Sequence, residues 1–160
     1  MPLKDDGDLI RGLGYVALYA AYLEKEIEDI FFAVVKMEKK QNPKMDFWPI
    51  SQKLKYVYKK MKEWPNLPSE LEEFCSYTEQ LLSLLENRNI LIHGRIYADK
   101  KTGDTLKPAR KGCQAVPAVS GEFYELANQL SAALAPCKKV SMFALPRYKA
   151  ARTKNADCGD

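Results

Sequence analysis

Histidine is almost missing from this chain: His93 is the only one among 160 residues. The four cysteines, Cys75, Cys113, Cys137 and Cys158, stand far apart and form no CxxC pair. With a single imidazole to join them, they do not compose a zinc site, and their scatter is not that of a disulfide framework. Idle or buried thiols are expected, with no metal and no other cofactor. There is no run of about 18 apolar residues, so no membrane partner is expected. The opening "MPLKDDGDLI" carries acidic residues and lacks the apolar core of a secretory signal, which points to a cytoplasmic protein. No internal repeat or low-complexity tract breaks the pattern, and this length suits one domain. The net charge of +4 is a mild bias towards polyanions and identifies none.

What is present is helical periodicity. From Asp8 to about Met37, apolar residues recur at Leu9, Leu13, Val16, Ala20, Leu23, Ile27, Ile30, Phe31 and Val34. Asp8 suits the N-cap, and Gly12 and Gly14 either weaken the first turns or allow close packing. Tyr15, Tyr19 and Tyr22 run beside the main stripe, either widening a buried face or forming a self-association surface. A loop follows, and then a helix opened by Pro49, with Ile50, Leu54, Val57, Tyr58 and Met61 on one side. Its other side carries Lys53, Lys55, Lys59, Lys60 and Lys62. These lysines are a solvated face or, with Tyr56 among them, a surface on which single-stranded RNA tracks and stacks.

Ser69 and Glu72 have capping-box spacing at the start of a third helix. Its stripe of Leu71, Phe74, Cys75, Leu81, Leu82, Leu85 and Ile92 runs to His93, and Gly94 suits the position after the C-cap. Residues 95–115 switch to short extended segments around a Thr-Gly-Asp turn, which predicts a hairpin or loop insertion. A fourth helix starts at Ser120, and Pro136 is expected to kink or end it. The fold class expected is all-α: an up-and-down bundle of four to five helices over residues 8–143, with a basic, flexible tail over 144–160.

"ENRNILIHGRIY" gathers chemically capable side chains where the third helix ends. With successive residues turned by about 100°, and Leu85 at the centre of the buried stripe, Arg88 falls about 60° to one side, Asn89 about 40° to the other and His93 about 80° out. Arg88 and Asn89 therefore border the seam instead of the solvent face, which capping alone does not require. Glu24 sits inside the first helix's apolar stripe. It either pairs with Arg88 or skirts the stripe and reaches water.

An Arg beside a His, with no metal cluster, suits cleavage of RNA by the neighbouring 2′-hydroxyl. A base takes the hydroxyl proton, an acid protonates the leaving oxygen, and a cation steadies the phosphorane. Histidine does either proton job near neutrality, and arginine grips phosphate with two parallel hydrogen bonds. With one His per chain, the two roles are filled most simply by a two-fold dimer.

"RNILIHG" resembles the Rx4-6H signature of the HEPN superfamily: Arg88, four intervening residues, then His93, with Asn89 directly after the Arg matching the commonest polar residue at that place in the motif. The bundle, the motif near the end of a long helix and the short insertion after it are also similar to HEPN proteins. The resemblance covers most of residues 8–143. It implies a metal-independent endoribonuclease acting as a homodimer, with His93 as acid-base group, Arg88 as phosphate-binding cation, Asn89 in support and Glu24 as the buried acidic residue. Lys53, Lys55, Lys59, Lys60 and Arg95 are then the RNA-binding set. Such proteins often serve as toxins or defence components, which implies a neutralising protein partner. In the subgroup paired with nucleotidyltransferases a Tyr stands two residues after the His. Here Arg95 holds that place and Tyr97 is the nearest tyrosine. The alternative readings are a non-catalytic HEPN-like module that binds protein or RNA, and a plain bundle whose Arg and His only cap a helix.

Overall fold

The computed structural model describes residues 8–97, 103–109 and 111–157, with side chains to residue 154 at the carboxyl-terminal end. Cys158 and Thr102 of the expected turn lie outside the described residues. The helices are α1 (Leu9–Met37), α2 (Ile50–Glu63), α3 (Ser69–Ile92), α4 (Ser120–Lys139) and α5 (Leu145–Asp157). Three short strands, β1 (Arg95–Tyr97), β2 (Thr105–Lys107) and β3 (Val116–Pro117), form an antiparallel sheet in the order β1-β2-β3. The fold class is all-α, with the expected insertion directly after α3. No helix among the described residues is long and apolar enough to cross a membrane.

By its contacts the chain divides into two compact units. The first holds the residues up to Ala21 together with Ser83–Ala132: the start of α1, the end of α3, the sheet and most of α4. Val16, Leu85, Leu106, Phe123 and Leu130 are buried in it. Asp8 stands at the N-cap position of α1, its carbonyl accepting from the Gly12 N–H at 2.7 Å. Gly12 is there for closeness, since a Cβ on it would meet the Phe123 Cβ at 3.0 Å, whereas Gly14 faces open space. The tyrosine stripe is not a wide buried face. Tyr15 is 40% exposed, Tyr22 is 51% exposed, and Leu18 beside Tyr15 is 43% exposed.

The second unit holds Tyr22–Leu82 and the residues from Ala133 on. Leu23, Ile27, Phe31, Leu54, Met61 and Leu71 are buried there, each contributing about 1.5–3 kcal/mol by leaving water. The capping box does not form. Ser69 Oγ turns to Glu70 Oε2 at 3.3 Å, and the first amides of α3 bond instead to the Pro68 carbonyl. Pro136, expected to kink or end its helix, does not end it: α4 runs through it to Lys139. A proline removes its own amide bond and crowds the carbonyl four residues back, and here Ala133, Cys137 and Val140, all buried, keep that segment packed. The break comes later, as one π-helical turn over Val140–Ala144 that closes with the Leu145 N–H on the Val140 carbonyl.

The flexible tail expected from residue 144 is corrected by α5. Tyr148 is buried, stacks on Trp64 with ring centroids 5.1 Å apart, and donates its hydroxyl proton to the Pro65 carbonyl at 2.7 Å. Trp64 Nε1 in turn donates to Glu38 Oε1 at 2.6 Å, and the Arg152 guanidinium lies over both rings, 3.8 Å from the same carboxylate oxygen. Aromatic stacking and a shared acceptor hold a helix whose own apolar stripe is short.

Candidate active site

The site is built where α3 meets the sheet. Helical hydrogen bonding continues one residue past Ile92, because the His93 N–H donates to the Asn89 carbonyl at 3.1 Å. Gly94 then lets β2 close on the helix end: a Cβ there would stand 2.7 Å from Leu106 Cδ1 and 2.7 Å from the Ile90 carbonyl oxygen. Gly94 does not take the left-handed conformation of a C-capping glycine, so its role is close approach. The Thr-Gly-Asp turn does use such a conformation, at Gly103 with φ 83°.

Glu86, Asn89 and Ile90 of α3, with His93 just past its end, face Pro108 and Ala109, just after β2, across a cleft of about 410 Å³. Glu86, Asn89 and His93 follow the i, i+3, i+7 spacing, so their side chains leave the helix within about 60° of one another. Asn89 is half-buried and His93 exposed, which leaves the imidazole accessible to a large substrate. The structure thus brings Asn89 and His93 together. Glu86, which sequence reasoning did not select, joins them through the same helical spacing that selected Asn89.

Arg88 does not line this cleft. Five residues before His93, it leaves α3 about 140° away from it. It is half-buried, and desolvation holds its guanidinium below the usual pKa. Its Nε is a buried atom without a hydrogen bond of its own, although the side chain has other partners. Glu24 is half-buried and belongs to the second unit.

Arg95 is exposed at the start of β1, directly opposite Lys107 of β2. Like charges facing across a ladder repel, so keeping this pair next to His93 favours an anionic ligand at this end of the unit. Lys107 was missed because the register that sets it opposite Arg95 depends on the turn, not on either residue.

The lysines of α2 divide. Lys53 is 3% exposed, ion-paired with Glu28, and its Nζ lies 5.7 and 5.4 Å from the Phe31 and Phe32 ring centroids. Lys53 is therefore removed from the RNA-binding set, because its position on the helix points it inward beside Leu54 and Val57. Lys60 pairs with Glu63 at 2.5 Å and is 15% exposed, which leaves it little free charge for a phosphate. Lys55, Lys59 and Lys62 are exposed on one stripe. Tyr56 is not among them as a stacking platform. Its ring packs 5.7 Å from Phe31 and 5.9 Å from Trp48, and its hydroxyl is buried without a hydrogen bond.

Cys75 and Cys137 are buried free thiols, and burial pushes the Cys137 thiol up to about 12. Among the described residues no three His, Cys, Asp or Glu side chains are grouped as metal ligands.

Compared with known families, with curated proteins and with solved structures, the chain matches none.

Proposed function

We propose that this protein is a metal-independent endoribonuclease of HEPN-like type, acting on RNA as a homodimer in the cytoplasm. The observation that carries the reading is the cleft in which Asn89 and His93 stand side by side, next to the Arg95–Lys107 pair. In the reaction the 2′-oxygen forms a bond to phosphorus and loses its proton to a base. The bond from phosphorus to the 5′-oxygen then breaks, and an acid protonates that oxygen. The products are a 2′,3′-cyclic phosphate and a 5′-hydroxyl end.

His93 is one proton carrier, and the second His93, from the partner subunit of a two-fold dimer, is the other. Arg88 supplies the cation that grips or orients phosphate, Asn89 is its polar support, and Glu24 is the buried acidic residue that the HEPN resemblance implies. Exposed Tyr15 and Leu18, which share one side of α1, support self-association, since neighbouring exposed apolar residues mark an interaction surface. A toxin or defence role, restrained by a neutralising protein, goes with this reading.

One observation favours a second reading. Arg88 faces away from the cleft that holds His93, as it would in a non-catalytic HEPN-like module that binds RNA or protein. Incubation of RNA with chelator, comparing wild type, His93→Ala and Arg88→Ala, separates the two. Loss of cleavage in both variants, with cyclic phosphate ends from the wild type, supports the enzyme. Binding without cleavage supports the module.

A further inference from the structure

A second hollow lies on the other side of Ile90. It is a groove of about 390 Å³ whose walls include Ile90, Leu91, Leu106 and Leu126 and whose rim carries Asn87, Glu122, Glu125 and Gln129. All of these belong to the first unit. Ile90 is the common wall of groove and cleft. Around α3, the groove residues Asn87 and Leu91 lie about 130° and 170° from the centre of the Glu86, Asn89 and His93 face, with Ile90 between them, so a ligand reaches both hollows only by passing over Ile90.

The chemistry of the two hollows differs. Two carboxylates, Glu122 and Glu125, line the groove where one, Glu86, lines the cleft, so the part of a ligand that enters the groove is uncharged or cationic. Apolar walls suit the face of a ring. Gln129 Nε2 donates to Glu125 Oε1 at 2.9 Å, which fixes that carboxylate as an acceptor and leaves it wanting donors from a ligand. An exocyclic amine on a ring edge is such a donor.

We propose that this groove is a nucleobase subsite that takes an amine-bearing base, adenine, cytosine or guanine, in preference to uracil. Uracil has no exocyclic amine and turns a carbonyl oxygen where cytosine and adenine turn one, and a carbonyl facing a carboxylate is repelled. The inference rests on RNA being the ligand of the neighbouring cleft. With the base seated in the groove, the phosphate of the same nucleotide falls towards Asn89 and His93. The preference is expected to be about fivefold to a hundredfold, the range that one well-made pair of base contacts supplies.

The test uses free nucleosides, which carry no phosphate. The full-length protein, labelled at its methyl groups, is titrated with adenosine, cytidine and uridine. The expected result is saturable shifts at Ile90, Leu106, Val116 and Leu126 with adenosine and cytidine, at least about fivefold weaker with uridine. Val116 is 39% exposed at the rim, so Val116→Trp fills the groove from outside and is expected to abolish the shifts. Glu125→Gln keeps the shape and is expected to erase the preference over uridine. Nucleoside shifts in a protein that never cleaves RNA would uphold the subsite and sink the cleavage reading. Cleavage dependent on His93 with no nucleoside shift, and with Val116→Trp indifferent, would overturn the subsite and leave the cleavage reading standing. Shifts from free lysine or arginine but from no nucleoside would overturn it as well, assigning the groove to a basic side chain.

Discussion

Replacing Tyr148 by alanine should release α5 and cost about 3–5 kcal/mol, the range for truncating a buried aromatic ring. The ring is 7% exposed, lies 5.1 Å from Trp64 at 24° to it, and is covered by Arg152. Of the total, the stack itself supplies about 0.5–1.5 kcal/mol, which a Trp64→Ala and Tyr148→Ala double-mutant cycle reads directly. Tyr148→Phe keeps the ring and removes only the hydrogen bond to the Pro65 carbonyl. Because Pro65 is exposed and water can replace the lost donor, that change should cost no more than about 1 kcal/mol. The assay is urea unfolding followed by far-ultraviolet circular dichroism, with limited trypsin digestion at Lys149 and Arg152 as an independent probe. The order expected is wild type, then Tyr148→Phe, then Tyr148→Ala, with cleavage in α5 appearing only in the last. A Tyr148→Ala protein within 1 kcal/mol of wild type and equally resistant to trypsin would refute the docking argument.

Lys53→Met should change stability by no more than about 1 kcal/mol, since the aliphatic stem is kept and the half-exposed Glu28 can return to water; urea unfolding checks this. The same substitution should leave RNA affinity untouched, whereas Lys55→Ala with Lys59→Ala should reduce the salt slope of binding by about 1.4 for two lost contacts. Raising the pH should weaken the fold through Cys137. Its thiol stays protonated in the folded chain until about 12 and ionises near 9 once unfolded, so this group's contribution is present below pH 9 and is lost between 9 and 12, by at most about 1.4 kcal/mol per unit. Unfolding midpoints across that range, with Cys137→Ser as control, read the slope. Leu18→Asp, on the exposed face of α1, should shift the mass in sedimentation from dimer to monomer without altering the helical spectrum. An unchanged mass would move the interface elsewhere.

The long helices were legible because their apolar spacing is their burial. Val16, Ile27, Leu54, Leu71 and Leu130 are where periodicity places a core, and they are fully buried. The half-burial of Arg88 and Asn89 was legible for the same reason, as a rotation about a helix axis. What failed depended on partners distant in sequence. Tyr148 is anchored by Trp64, and nothing near residue 148 announces it. Lys53 looked like one lysine of a solvated face because the rings and the carboxylate that receive it stand on α1. The cleft's far wall, Pro108 and Ala109, and the facing of Arg95 by Lys107 come from a strand register that a turn sets. Local pattern gave the helix that carries the site. The sheet that completes it had to be seen.

The central claim is that His93 moves protons during metal-independent RNA cleavage. The measurement that tests it most directly is cleavage of a defined RNA with chelator present by wild type and His93→Ala at equal fold, with identification of the end groups. The account predicts cyclic phosphate ends from the wild type and a loss of about 100-fold or more in His93→Ala. Undiminished cleavage by His93→Ala, or activity that vanishes with chelator, would contradict it.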